Sequence, residues 1–115
     1  MAATATAHAQ EAGRLRDESG LNDELMARAT GAARSTVRDW FAQRSSPTGI
    51  RAERVGELAS IVDRLQRIMD TGYIPLWLTK PIEALDDDKP IDLIAAGEYR
   101  RVAKLIAALE DPGAV

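Results

Sequence analysis

Two groups of residues in this 115-residue chain have side chains suited to recognition. The first lies in RSTVRDWFAQR, residues 34–44. Arg34 and Arg38 stand one helical turn apart and can reach phosphates or guanine edges. Ser35 and Thr36 offer hydroxyls to phosphate at a helix start, and Gln43 continues the outward face. Arg44 and Arg51 flank the loop that follows, where they can hold a nucleic-acid backbone. The second group is acidic and then basic. Glu83 and the run Asp86, Asp87, Asp88 precede Arg100, Arg101 and Lys104, all polar positions that can pair with a protein surface. Trp77 and Tyr99 are amphipathic and large enough to anchor an interface, although a tryptophan at such a place is more often a core residue.

Catalysis has no comparable support. The chain has one histidine, His8, near its start, and no cysteine. It has no glycine-rich phosphate loop and no HExxH. Residues 86–88 lack the alternating spacing and the glycine of a calcium loop. The expectation is a binding protein without catalytic residues, metal or cofactor. The absence of cysteine also removes disulfides. The first residues, MAATATAHAQEAGR, do not form a basic stretch followed by an apolar core, and no apolar run is long enough to span a membrane, so a cytoplasmic place is expected.

The net charge is −3, which is unusual for a nucleic-acid binder until its distribution is considered. From Arg28 to Arg54 six arginines face Asp39 and Glu53, a balance of +4. From Thr71 onward five basic residues face eight acidic ones, a balance of −3. A basic segment followed by an acidic one implies two surfaces with different partners.

The elements that must carry these residues read as helices throughout. A first helix is expected from about Ala7 to Glu18, after a frayed start, ending at Ser19-Gly20. Asn22 is the expected N-cap of a second, with Asp23 and Glu24 favoured by the helix dipole in its first turn. That helix ends at Thr30-Gly31, and a third runs from about Ala33–Ser35 to Gln43. After the SSPTG loop, a long helix is expected from Ile50 to Asp70. Val55, Leu58, Val62, Leu65 and Met69 recur at spacings of three and four, and Ile61 and Ile68 widen the face. This face is wide enough for its own core and a second subunit, or all seven residues are internal. Short segments follow: IPLWL, a turn at IEAL, the acidic DDDKP loop, and IDLIAA with Pro90 in its first turn. The last helix covers Glu98 to Glu110, with Val102, Leu105, Ile106 and Leu109 on one face.

Gly31 sits inside a stretch that otherwise reads as continuous helix, where it would cost about 1 kcal/mol relative to alanine. Ala27 stands four residues before it, and Val37 and Trp40 six and nine after it. That is the spacing of a helix-turn-helix: a small residue for close crossing, a glycine at the turn, and apolar residues that clamp the helices. An ordinary helical hairpin with solvated arginines is the alternative.

Residues 77–109 resemble the C-terminal toxin-binding domain of the Xre/MbcA/ParS-like antitoxins. The pattern is Trp77-Leu78, Pro81, Leu85, Pro90, Leu93-Ile94, Gly97, then Val102, Leu105 and Ile106. The family places this domain after an Xre-like helix-turn-helix and a long helix, so the likeness covers roughly residues 20–110. Many members carry a glycine soon after the last helix; here Asp111-Pro112-Gly113 is shifted. The resemblance implies an all-α fold. Residues 1–70 would form the helix-turn-helix bundle and its dimerisation helix, and residues 71–115 a small toxin-binding domain. It implies a type II antitoxin, homodimeric within a larger complex. Its partners would be operator DNA and a neighbour-encoded RES-domain toxin that degrades NAD and whose active site it covers. The contact set would be Trp77, Asp86, Asp87, Asp88, Tyr99, Arg100, Arg101, Lys104 and the tail carboxylate at Val115. Two other readings stay open: a transcriptional regulator whose C-terminal part only oligomerises, and an interaction protein with a vestigial helix-turn-helix.

Overall fold

The computed structural model describes residues 2–111 and 113, with side chains described from Ala7 onward. Among these residues there are seven α-helices and two short 3₁₀ turns, and no strand. The helices are α1 (Ala2–Ser19), α2 (Asp23–Thr30), α3 (Arg34–Phe41), α4 (Gly49–Leu65), α5 (Ile74–Thr79), α6 (Pro90–Ala95) and α7 (Tyr99–Glu110). The 3₁₀ turns are Thr71–Tyr73 and Glu83–Leu85. The all-helical expectation therefore holds.

Local chemistry sets most boundaries. Asn22 caps α2, its side chain accepting a hydrogen bond from the Leu25 amide at 3.0 Å. Gly31 ends α2 at φ 79°, in the left-handed region that glycine enters without a Cβ penalty. Its amide donates to the Ala27 carbonyl at 2.9 Å. The buried Thr30 hydroxyl donates to the Met26 carbonyl at 2.8 Å and accepts from the Ala32 amide at 3.3 Å, so the turn's polar groups are satisfied. Pro90 occupies the first turn of α6, where its missing N–H costs nothing.

Three expected boundaries move. α1 begins at Ala2, before the expected Ala7, because the alanine-rich start has high helix propensity. α4 ends at Leu65, short of Asp70: the amides of Arg67 and Ile68 bond three residues back, which tightens the last turn out of α geometry. Ile68 and Met69 still pack on the core, which is why the apolar period outruns the helix. α3 stops at Phe41, before Gln43, with Ala42 as its C-cap.

One continuous apolar cluster joins all seven helices. Leu15 of α1, Met26 of α2, Val37 and Trp40 of α3, and Val55, Leu58, Ile61, Val62 and Leu65 of α4 meet Ile74, Trp77 and Leu78 of α5. Ile91 and Ile94 of α6 with Val102 and Ile106 of α7 complete it. α2 packs against α6, and α4 against both α6 and α7, so the basic and acidic segments are built on the same core. α4 spends its apolar stripe internally; among the described residues, the large apolar side chains left exposed are Ile50, Tyr73, Leu76 and Leu109.

Candidate functional site

The first candidate surface is the α2–α3 hairpin. Val37 and Trp40 are buried, 0% and 2% exposed, which fixes the rotation of α3 and turns Arg34, Ser35 and Arg38 to solvent. Thr36 is half-buried. Arg38 Nε donates to Asp23 Oδ2 at 2.7 Å, and Arg34 Nη2 donates to Asp23 Oδ1 at 3.5 Å. The Arg38 hydrogen bond, reinforced by the charges of Arg34 and Arg38, holds the Asp23 carboxyl below its ordinary range. Arg44 is also exposed and pairs with Asp39 through Nε and Nη2 at 3.1 and 2.9 Å. Gln43 is a correction: it lies beyond α3 with φ 57°, in the turn that leads into the Ser45–Pro47 loop, so it is exposed but not on the helix face. The hairpin thus gathers Arg34, Ser35, Thr36 and Arg38 on one element, with Arg44 beside its end.

The second surface is formed by the 3₁₀ turn at Glu83–Leu85, the acidic loop and α7. Asp86 and Asp87 both adopt left-handed backbone, φ 58° and 66°, which turns the chain sharply and leaves all three aspartates exposed. Arg101 organises them. Its guanidinium lies 3.3 Å from Asp86, 3.8 Å from Asp88 and 3.5 Å from Glu98, and it donates to the Leu85 carbonyl at 3.3 Å. Arg101, one of the expected contact residues, is thus also engaged within the chain. An open groove of about 430 Å³ runs beside it, lined by Ala84, Leu85, Asp86, Lys104, Leu105 and Ala108. Arg100 and Lys104 are exposed on α7, and Tyr99 is half-buried against the core. Trp77 is a second correction: at 6% exposure it belongs to the core, in the same apolar cluster as Ile74 and Leu78. Val115 lies outside the described residues.

Ion pairs tie the two surfaces together. Arg28 of α2 grips Asp92 of α6 through Nε and Nη2 at 2.8 and 2.9 Å. Arg64 of α4 grips Glu110 of α7 at 3.1 and 2.6 Å, and its guanidinium lowers the Glu110 carboxyl below the usual range. Arg54, largely buried and paired with Glu57 at 3.0 Å, lies over Gly97, where a Cβ would meet its Nη2 at 2.8 Å. Sequence reasoning missed these links, since partners 43–64 residues apart carry no local signal. It also read Asp23 only as a dipole residue. Its being an acid close before a run of arginines was the available clue.

No protein-family profile matches the chain. Curated relatives do. It is 32% identical to the mycobacterial cidal antitoxin MbcA of Mycobacterium bovis over 92 residues, 80% of this chain and 81% of the relative. The same figures hold for MbcA of Mycobacterium tuberculosis. Those relatives are antitoxins, binding proteins rather than enzymes. The fold matches a chain in the crystal structure of the M. tuberculosis MbcT–MbcA toxin–antitoxin complex with a TM-score of 0.80 at 28% identity, covering 91% of this chain and 95% of that one. The chain belongs to the MbcA antitoxin family.

Proposed function

We propose that this protein is the antitoxin of a type II pair whose toxin is a neighbour-encoded RES-domain enzyme that degrades NAD. In this reading, residues 71–115 pack on the toxin and cover its active site. Residues 1–70 bind operator DNA through α2 and α3 as a helix-turn-helix and repress the operon. The action is cytoplasmic. The observation that carries the reading is the likeness to MbcA, described in complex with MbcT, along nearly the whole of this chain. The charge division supports it: arginines dominate the outer face of α3, and exposed aspartates dominate the loop before α6. Asp86, Asp87, Asp88, Arg100 and Lys104 supply the polar contacts in this proposal, with Tyr99 at their edge and the tail ending at Val115 nearby in sequence. A homodimer within the complex belongs to the same proposal and uses a surface other than the α4 stripe, which is buried internally.

The test is to express the neighbouring gene alone and with this chain, following growth and cellular NAD. Collapse of NAD with the neighbour alone and recovery with both is the expected result. A harmless neighbour, or a toxic one that this chain leaves active, overturns the reading.

A further inference from the structure

The α2–α3 hairpin contains an arrangement more specific than a basic patch. Arg34 and Arg38 lie one turn apart on α3 and converge on one carboxylate, Asp23. The Asp23 side chain is 20% exposed, whereas those of Arg34 and Arg38 are 56% and 58% exposed. The carboxylate is recessed, and the guanidiniums extend past it to solvent. Arg38 is held at Nε alone, at 2.7 Å. Among the described residues neither of its Nη atoms is hydrogen-bonded. Those two nitrogens, one with Nε or both together, form the planar fork that reads guanine O6 and N7. A carboxylate at Nε orients that fork and leaves its far end open. Arg34 meets Asp23 through an Nη at the long distance of 3.5 Å, which suits a more mobile, phosphate-directed role. Arg44 differs again: Asp39 takes both its Nε and Nη2, and both partners are well exposed.

We propose that Arg38 is the side chain that reads a guanine in the major groove, and that Asp23 is the positioning residue that orients it. This rests on the DNA-binding reading given above. The physical logic has two parts. A preset guanidinium loses less freedom when it meets the base, so Asp23 strengthens discrimination. A negative charge beside the phosphates opposes binding to any duplex, so Asp23 weakens nonspecific association. Removing it moves the two quantities in opposite directions, which loss of structure alone does not do.

The test uses the full chain and a pool of DNA duplexes carrying a randomised 12-base-pair window, with selection followed by titration of the recovered sites at several salt concentrations. The wild type is expected to enrich sites with a fixed guanine. Asp23→Asn should bind unselected duplex more tightly at low salt, yet lose about tenfold of its preference against a guanine-to-adenine change. Arg38→Gln should lose preference at the same base pair. Arg34→Gln should weaken all duplexes with the preference intact. Circular dichroism checks that each variant is folded; if Asp23→Asn is not, the exposed Arg38→Gln and an Asp23→Glu variant, expected to recover part of the preference, decide the matter. Wild-type preference retained in Asp23→Asn or in Arg38→Gln overturns the proposal while leaving DNA binding intact. Salt-dependent wild-type binding that enriches no guanine does the same. No salt-dependent binding by the wild type removes the DNA-binding reading itself, and this proposal with it.

Discussion

At the α2–α3 hairpin one carboxylate, Asp23, holds two arginines; at the acidic loop one arginine, Arg101, lies within reach of three carboxylates. The two surfaces mirror each other in charge. In each, one charged side chain is engaged within the protein and gathers several of the opposite sign, which extend to solvent. The difference between the surfaces therefore lies in what they offer outward. The hairpin presents guanidiniums on a rigid helix clamped by Val37 and Trp40. The acidic surface presents carboxylates on a loop with two consecutive left-handed residues, a shape set by backbone and by Arg101 rather than by a helix.

The largest expected effect asks whether these are two surfaces of one folding unit. Trp40 packs under α3 and Trp77 under α5, within the same apolar cluster. Trp40→Ala should destabilise the protein by about 3–5 kcal/mol, as for other buried aromatics. In urea titrations, Trp77 fluorescence and far-ultraviolet circular dichroism should move together in that variant. A separate, unshifted transition reported by Trp77 would break the comparison into two independent domains.

A smaller effect contrasts two glycines with nearly the same backbone, Gly31 at φ 79° and Gly97 at φ 83°. Gly31→Ala adds a methyl group into open space, so its cost is conformational, about 1–2 kcal/mol. Gly97→Ala has the same backbone cost and also forces the Arg54 guanidinium aside. Denaturation midpoints should fall further for Gly97→Ala. Equal losses would mean that Arg54 moves away freely.

The Arg28–Asp92 pair joins the basic and acidic halves but is partly exposed at both partners, 38% and 48%. A double-mutant cycle should give a coupling of about 0.2–1 kcal/mol, reduced by salt. The smallest effect is in acid. Asp23 and Glu110, one in α2 and one in α7, are held below their ordinary values by Arg38 and Arg64 respectively. Their contribution is complete above the unfolded values, about pH 4, and is lost as pH falls through the lower folded values. Asp23→Asn and Glu110→Gln should each flatten the acid limb of the stability profile, measured by urea titration between pH 2 and 6. An unchanged limb would show that the pairs do not persist in solution.

Much of this architecture was legible because its causes are local. The Asn22 cap, the Gly31 turn, the burial of Val37 and Trp40 and the placement of Pro90 all follow from neighbours in the chain. The pattern in residues 77–109 carries the family likeness by itself. What the sequence hid is long-range or ambiguous in period. Ile68 and Met69 continue the apolar rhythm past the end of α4, so the rhythm alone overextends the helix. Trp77 suits a core more often than an interface, and only its neighbours decide between them. The pairing of Arg101 with Asp86 and Asp88 was hidden because the left-handed loop that brings them together has no glycine to announce it.

In the proposed function the two charged surfaces serve two different partners. The most direct measurement titrates the full chain, as wild type and two variants, against the purified neighbouring gene product and against duplex DNA from upstream of the operon. Combined replacement of Asp86, Asp87 and Asp88 by asparagine should weaken toxin binding about tenfold or more and leave DNA binding in place. Combined Arg34→Gln and Arg38→Gln should do the reverse, with a shallower salt dependence for DNA. Wild-type toxin affinity in the aspartate variant, or loss of toxin binding in the arginine variant, would contradict the account.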